Sequence, residues 1–438
     1  MSLSTQPYKG ARDFYPEDKR LQKQMFSVWR NVVESFGYEE YDAPVLEPTE
    51  LYASKTSDEI VNEQTYSFTD RGGRNITMRT EMTPSVSRMV AARRQEFGYP
   101  LRLYSIPNLW RYERPQKGRL REFWQLNVDL FGVDNILAEF EMIQISSGIM
   151  SAFEAQPNMY QVKINSRKLI NYLLEDHLKI NDVQSESLIR LIDKKDKMSG
   201  SEFSAKLNTI LDENQRQNNV GSKLLNILSI STIEDLPIEL KQHESSQKLT
   251  ELINLCNNSS INNVVFDLSL MRGFDYYTDI VFEVFDTHPE NNRSMFGGGR
   301  YDGLIGEFGV EPVPTVGFGM GDATLYNFLF LHNLLPKVSS SVEVYAAVLT
   351  GNKNEALRLI NELREMGVNV AADFSGNKLE KQIKNATKKT VPYMLFVGDN
   401  EVESGQFKLK NLSSGKEEAH SLQRIVSIVK DYRNNDSN

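Results

Sequence analysis

The feature that most constrains the fold is a change of texture along the chain. Between about residues 165 and 262 glycine and proline are rare, and segments such as SRKLINYLLEDHLKI indicate helices. Alternating and aromatic-rich segments typical of strands precede this region, and strand texture returns at VVFDLSL. The sequence therefore predicts a helical insertion (165–262) that interrupts a strand-rich domain formed by residues 1–164 and 263–333.

A second domain is predicted at the end of the chain. The segment LLPKVSSS (334–341) resembles a linker, and residues 342–438 then alternate between strand-like runs such as VEVYAAVL and helix-like runs such as NEALRLINELREM. This alternation predicts a small α/β module. A chain of 438 residues is long enough for more than one hydrophobic core, so this division is expected.

Composition excludes several classes of site. The single cysteine, Cys256, rules out an intrachain disulfide and a cysteine-rich zinc centre, and it fits a reduced, cytoplasmic location. The five histidines show no ligand spacing, so no metal-binding residues are predicted. No apolar run suggests a membrane span or signal peptide. A net charge of −9 excludes a generally basic surface but leaves room for a local patch that binds nucleic acid.

The densest group of cations lies in RYERPQKGRLREFWQ, which is predicted to form a basic loop between two strands. It contains Arg111, Arg114, Lys117, Arg119 and Arg121. Guanidinium groups suit phosphate and carboxylate oxygens, although a solvated hairpin tip would show the same composition. Arg111 favours a functional role, because it lies in aromatic strand texture where an unpaired charge is costly.

Two other segments combine charge with strand texture. In MRTEMTPSVSR, Glu81 could hold an ammonium group, or it could be a surface residue beside a helix start capped by Thr83. In SLMRGFDYYTDIVFEV, Arg272 could face phosphate from the side opposite Arg111, or form a salt bridge with Asp275. Alternation along a strand predicts that only one of the two adjacent tyrosines, 276 and 277, points into a polar pocket.

A run of three glycines follows in SMFGGGRYDGLI. Glycines weaken a strand, and they are tolerated where a backbone or a ligand must approach closely. The spacing does not match a phosphate-binding loop or a dinucleotide fingerprint. A plain turn is the alternative.

Together these motifs resemble those of the histidyl-tRNA synthetases, a family of class II aminoacyl-tRNA synthetases. KGARDFYPED is similar to the N-terminal signature of the family, GYEEYDAPVLEP to motif 1, and LWRYERPQKGRLREFWQLNVDLFG to motif 2, while RGFDYY and GGGRYDGL resemble signatures specific to the histidine enzyme. The resemblance implies an α+β fold: an antiparallel catalytic sheet flanked by helices, the helical insertion, and a C-terminal α/β anticodon-binding domain. It also implies a homodimer formed through motif 1.

The resemblance assigns roles in ATP chemistry. Arg111 is expected to hold the histidine carboxylate and the α-phosphate, and Arg272 to contact the α-phosphate in the transition state, so these two arginines are the catalytic candidates. Glu113 is expected to bind the adenine and Arg119 the γ-phosphate. Mg²⁺ is expected to bridge the phosphates.

The resemblance also assigns residues to L-histidine and to tRNA(His). The α-ammonium group is expected to meet Glu81, Thr83 and Gln125, and the two imidazole nitrogens to meet Asp129 and Tyr277. The remaining expected pocket residues are Tyr276, Gly298 and Gly299. For tRNA, the candidates are Arg114 and Gln116 at the acceptor end, and Lys381 and Lys384 in the C-terminal module.

One motif departs from the family. Motif 3 usually ends Gly-x-Glu-Arg, and its arginine contacts ATP, whereas VGFGMGDATL places Ala323 and Thr324 at the last two positions. Two alternatives stay open: a non-catalytic, histidine-sensing regulatory paralogue of ATP phosphoribosyltransferase, and a class II synthetase for glycine, threonine or proline. The motif 2 arginines and the C-terminal module argue against the first, and the two histidine signatures against the second.

Overall fold

The structure is a computed structural model that describes residues 3–53, 64–195, 198–271, 276–291 and 293–436. It divides into two compact units, Met1–Asp13 with Gln22–Pro336, and Phe14–Leu21 with Lys337–Asn438. The strand-rich, helical and alternating regions occur in the predicted order. The limits given above for the three regions stay a prediction.

The first unit is organised around a large sheet. The strands of this unit are β1 (Glu39–Glu40), β2 (Leu46–Pro48), β3 (Ser67–Thr69), β4 (Asn75–Met78), β5 (Leu101–Ser105), β6 (Asn108–Trp110), β7 (Glu122–Phe131), β8 (Tyr160–Ser166), β9 (Val264–Phe266), β10 (Ile280–Asp286), β11 (Ser294–Arg300) and β12 (Thr315–Gly321). Among the described residues, nine strands form one sheet in the order β1-β5-β7-β12-β11-β10-β8-β9, with β6 paired to β7. The pairs at the two ends are parallel, and the others are antiparallel. A smaller sheet has the order β2-β4-β3.

Helices flank the large sheet and make up the insertion. They are α1 (Pro16–Ser35), α2 (Glu50–Ala53), α3 (Thr83–Ala92), α4 (Leu137–Ala152), α5 (Arg167–Asn171), α6 (Asp182–Ile192), α7 (Gly200–Ile210), α8 (Glu213–Gln217), α9 (Val220–Leu228), α10 (Ile238–Gln242), α11 (Glu244–Asn258) and α12 (Asp322–Leu331), with a π-helical turn at Tyr172–His177. In the insertion, side chains of Asn181, Ser199 and Asp212 cap the starts of α6, α7 and α8. These caps satisfy backbone donors that each helix start leaves unpaired.

The second unit contains the predicted α/β module. Its strands are β13 (Val344–Val348), β14 (Val370–Asp373), β15 (Tyr393–Val397), β16 (Phe407–Asn411) and β17 (Glu417–His420), and its helices include α13 (Lys353–Glu365), α14 (Leu379–Lys388), α15 (Asp399–Ser404) and α16 (Leu422–Asp436). The sheet order is β14-β13-β15-β16-β17, with the first three strands parallel. In neither unit does a described helix have the length and apolar character needed to cross a membrane.

Candidate active site

A polar cavity lies on the central strands of the large sheet. The residues predicted to bind histidine that line it are Glu81, Thr83, Gln125, Asp129, Tyr276 and Tyr277, and Arg111 lines it as well. These residues come from three separate motifs of the sequence. The fold therefore brings together most of the predicted amino-acid pocket.

Strand β7 supplies the polar wall. Gln125, Asn127 and Asp129 are two residues apart, so their side chains project from the same face of the sheet. All three line the cavity. Asn127 was not predicted, although the period of two that relates it to its neighbours would have identified it.

Glycines on the next two strands form the floor. On β12, Gly319 pairs with Asn127 and Gly317 with Asp129, and on β11 Gly297 and Gly299 continue these two rows. A Cβ on Gly317 would lie 2.4 Å from Oδ1 of Asp129, which is far inside van der Waals contact. The side chains of β7 therefore have room only because the residues opposite them on β12 are glycines, which have no side chains.

The three glycines of β11 differ in what they face. Gly297 lines the cavity. A Cβ on Gly299 would lie 2.9 Å from Cδ1 of Tyr277, whereas a Cβ on Gly298 would lie 1.9 Å from the carbonyl oxygen of Gly317. Gly298 and Gly299 thus permit close packing of the sheet and of Tyr277, and their contact with substrate stays a prediction.

Asp129 is a buried carboxyl group of the site with a perturbed pKa. It is buried, and the hydroxyl of Tyr301 donates a hydrogen bond to its Oδ1. Within the described part of the chain, its Oδ2 is also buried and accepts no hydrogen bond. Burial raises the pKa of Asp129 to about 7, and the Tyr301 hydroxyl acts in the opposite direction. The site therefore holds a carboxyl group that can be neutral near pH 7.

Glu81 and Tyr276 form a second polar pair. The Tyr276 hydroxyl donates to Oε2 of Glu81 at 3.0 Å and lies 3.5 Å from Oγ1 of Thr83. Burial, followed by the charge of Glu81, holds the pKa of Tyr276 well above its usual value. Pro84 lies in the first turn of α3. A carboxylate and a hydroxyl are thus aimed at one place at the start of this helix.

The expected alternation of Tyr276 and Tyr277 is corrected by the structure. Both tyrosines line the cavity, and their ring centroids are 4.9 Å apart. They precede β10, which begins at Ile280, and they do not lie in a strand. The period of two does not apply to them for that reason.

Arg111 follows β6 and borders the cavity. Its Nε donates to the carbonyl oxygen of Thr80 at 3.0 Å, and its guanidinium carbon lies 5.4 Å from the centroid of the Phe123 ring. A backbone bond and an aromatic face hold the guanidinium in one orientation. This arrangement suits a fixed cation at the edge of the amino-acid pocket.

The basic loop is a hairpin whose tip is exposed. Gln116 and Arg119 exchange both backbone hydrogen bonds, and Gly118 has a φ of +76° between them. The guanidinium of Arg119 lies 3.6 Å from the carboxylate of Glu113, although the Arg119 side chain is 56% exposed. Arg114 and Gln116 are exposed at this tip. The hairpin can therefore present several polar groups to a large ligand.

The remaining predicted residues are Arg272, Lys381 and Lys384. Arg272, the leading catalytic candidate, lies outside the described residues. Lys381 and Lys384 are exposed on α14 in the second unit. Their roles in binding ATP and tRNA stay predictions.

Tyr301 was not predicted as a site residue. It directly follows Arg300, which forms a buried ion pair with Glu139. Its neighbour Arg300 donates to both carboxylate oxygens of Glu139, at 2.6 and 2.9 Å, and the two side chains are almost fully buried. Bidentate pairs of this kind fix geometry as well as charge. Tyr301 belongs to the quoted GGGRYDGL motif, so its position beside the glycines was the available signal.

Comparisons with known proteins agree over nearly the whole chain. The family model for histidyl-tRNA synthetase matches residues 10–324, and the model for an anticodon binding domain matches residues 343–432. The histidine–tRNA ligase of Leptospira biflexa serovar Patoc is 41% identical over 431 residues, which is 98% of either chain. That of Thermococcus kodakarensis is 36% identical over 434 residues, covering 96% of this chain and 97% of the relative.

A solved structure supports the fold. The crystal structure of histidyl-tRNA synthetase from Nostoc sp. PCC 7120 has a TM-score of 0.81 and 22% sequence identity, and the match covers 98% of this chain and 100% of that one. The antiparallel-rich sheet with its separate C-terminal module, taken with these matches, defines a class II aminoacyl-tRNA synthetase. The predicted fold class is thus confirmed. Within that class, the chain belongs to the histidyl-tRNA synthetase family.

Proposed function

We propose that this chain ligates L-histidine to tRNA(His) through a histidyl-adenylate intermediate. The observation that carries the proposal is the convergence of three motifs on one cavity: Asp129 from motif 2, Tyr277 from RGFDYY and Tyr301 from GGGRYDGL. Each motif supplies a polar group to the same buried space. The high similarity to histidine–tRNA ligases supports the same reaction.

Selectivity for histidine would come from polar groups at both ends of the imidazole ring. Asp129 and Tyr277 would meet the two ring nitrogens, while Glu81, Thr83 and Gln125 would bind the α-ammonium group. Any other side chain would leave buried polar groups unpaired, which is the costly kind of mismatch. Among the residues that the structure describes, none donates a hydrogen bond to the buried Oδ2 of Asp129. This oxygen supports the assignment, because a ring N–H could donate to it.

In the first step an oxygen of the histidine carboxylate attacks the α-phosphorus of ATP, and the bond to pyrophosphate breaks. Arg111 would stabilise the carboxylate and the α-phosphate, with Glu113 at the adenine and Arg119 at the γ-phosphate. Arg272 is proposed from the sequence to face the α-phosphate. The charge that develops on the phosphate is the reason that fixed cations accelerate this step.

In the second step the 3′-terminal ribose hydroxyl of the tRNA attacks the acyl carbon, and AMP leaves. Arg114 and Gln116 would contact the acceptor end, and Lys381 and Lys384 the anticodon arm. Mg²⁺ would arrive with ATP. The phosphates of ATP would supply most of the ligands of this ion. We also propose a homodimer formed through motif 1 and a cytoplasmic location.

The regulatory paralogue is the second candidate. A match to an anticodon-binding domain over residues 343–432 disfavours it, as do the arginines of the motif 2 hairpin. The two candidates differ in catalysis, because a histidine sensor binds histidine without activating it. Histidine-dependent exchange between ATP and pyrophosphate therefore separates them.

The exchange assay tests the proposed function. We expect exchange that depends on histidine and is not supported by glycine, threonine or proline. Arg111→Ala should lower it roughly 100-fold or more, as does removal of a donor aimed at developing charge, and Arg272→Ala should lose most of the activity. Arg74→Ala, which removes an exposed arginine from the β3–β4 turn, is the control and should match wild type. Folded protein without histidine-dependent exchange would exclude the synthetase reaction.

A further inference from the structure

Motif 3 of this chain has no arginine, and the structure shows what replaces it locally. Thr324 lies in the first turn of α12, and its hydroxyl donates to the carbonyl oxygens of Met295 at 2.8 Å and Gly321 at 3.0 Å. The side chain is therefore turned back onto its own strands. The position that carries a cation elsewhere in the family presents none here.

A different arginine reaches the same turn. Arg12, from the N-terminal segment, places Nη2 2.7 Å from Oδ2 of Asp322, the first residue of α12. The Asp322 side chain is only 4% exposed. Its other oxygen, Oδ1, accepts the backbone N–H of Trp124 on β7 at 3.0 Å. One buried carboxylate thus joins the N-terminal segment, the motif 2 strand and the motif 3 helix.

The N-terminal segment is itself seated on the motif 2 hairpin. The carbonyl oxygen of Gly10 accepts the backbone N–H of Arg121 at 2.9 Å and that of Glu122 at 3.2 Å. Gly10 has a φ of +88°, and a Cβ there would lie 2.7 Å from Cγ of Arg121. The backbone can approach the hairpin this closely only at a glycine. The contact of Gly10 with the hairpin therefore fixes the N-terminal segment so that Arg12, two residues further on, lies beside Asp322.

The charge of Arg12 also acts on the base of the hairpin. Burial raises the pKa of Glu122, and the positive charge of Arg12 opposes this effect. Glu122 is the first residue of β7, the strand that continues to Gln125 and Asp129. Arg12 thus offsets two carboxylates, Glu122 and Asp322, at the junction where β7 meets α12.

We propose that Arg12 is a positioning residue for ATP: through Asp322 it fixes the junction of β7 and α12 in the geometry that the nucleotide requires. The inference rests on the proposed function, in which the hairpin residues Glu113 and Arg119 bind ATP. This tie lies at the turn where the chain lacks the motif 3 arginine. Arg12 acts through Asp322 and is not assigned a contact with the nucleotide.

The test compares KM values for ATP and histidine in the full-length chain. Arg12→Gln should raise the KM for ATP in the exchange assay roughly tenfold, which corresponds to the lower range for a hydrogen bond to a charged group. The KM for histidine should stay unchanged. Arg12→Lys should restore part of the loss. Thr324→Arg in the Arg12→Gln background should also lower the KM for ATP, because it returns a guanidinium to the same turn.

The control is Arg102→Gln, which breaks another ion pair of the same unit. Arg102 binds Glu141 through two hydrogen bonds, at 2.9 and 2.8 Å, and its side chain is 27% exposed, the same as that of Arg12. This variant should lose thermal stability without a selective change in the KM for ATP. If Arg12→Gln does not fold, Asp322→Asn weakens the same tie while keeping an oxygen for Trp124, and the same rise is expected.

Four results bear on the inference. An unchanged KM for ATP in Arg12→Gln, or an equal rise for ATP and histidine, would overturn it. So would a rise of the same size in Arg102→Gln, because the effect would then reflect stability alone. If wild type shows no histidine-dependent exchange, the proposed function fails, and direct binding of ATP to the same variants still decides the role of Arg12.

Discussion

The buried carboxyl group of Asp129 leads to a quantitative prediction about pH. Its pKa in the folded chain is about 7, compared with an ordinary value of 3.8. In the unfolded chain the group loses its proton near pH 4, whereas in the folded chain it keeps the proton until near pH 7. Between these values the folded state binds more protons, so the stabilising contribution is fully present below about pH 4 and is lost as the pH rises through about 7.

The size of the effect follows from the shift. A difference of about three pKa units corresponds to roughly 4 kcal/mol, at about 1.4 kcal/mol per unit. For a unit of about 330 residues, an unfolding entropy of about 2.1 cal/mol/K per residue converts this into roughly 6 °C. Asp129→Asn removes the titration and keeps the side-chain shape, so it isolates the effect.

The assay is thermal unfolding of wild type and Asp129→Asn from pH 4.5 to 8. The midpoint of wild type minus that of the variant should fall by about 4–5 °C over this range, because roughly 1 kcal/mol of the contribution is already lost at pH 4.5. Asp134→Asn is the control, because the Asp134 side chain is 84% exposed, and its difference from wild type should stay constant. A constant difference for Asp129→Asn as well would show that burial does not hold a proton on this carboxyl group.

Two further predictions concern packing and tRNA. Gly317→Ala puts a methyl group 2.4 Å from Oδ1 of Asp129; it should cost about 1–3 kcal/mol in thermal unfolding and raise the KM for histidine. Gly303→Ala, which meets open space, should change neither. Replacing Lys381 and Lys384 together with Ala should make the slope of log affinity for tRNA against log salt less steep by about 1.5, with histidine-dependent exchange unchanged.

Motif residues of the site could be predicted because each carries its chemistry within a short segment. Glu81 lies just before α3 and Thr83 is the first residue of this helix, so the predicted helix start in MRTEMTPSVSR is present. The order of strand-rich, helical and alternating regions could be read in the same way, because the period of apolar residues differs between strands and helices.

Contacts between distant segments could not be predicted. Arg300 pairs with Glu139, which is 161 positions away in the sequence, and Arg12 pairs with Asp322, which is 310 positions away. Neither partner is marked by spacing, because only the sheet order brings the segments together. The error about Tyr276 has a different cause: strand texture was extended into residues that precede β10, and the local backbone there is not extended in the regular way.

The glycine-rich segments have one physical explanation that links them to the motif 2 strand. Gly297 and Gly299 on β11, with Gly319 and Gly317 on β12, form two cross-strand rows with Asn127 and Asp129 of β7. Three adjacent strands with full side chains would fill the face of the sheet on which the cavity lies, and apolar side chains there would leave Asp129 without room for a polar partner. Glycine weakens a strand. Here the weakening falls on β11 and β12, the two strands next to the polar wall of β7. The buried carboxyl group of Asp129 and the glycine floor therefore depend on each other. A Cβ at Gly317 would displace Asp129. Without Asp129, side chains on β11 and β12 would not need to be excluded from this face.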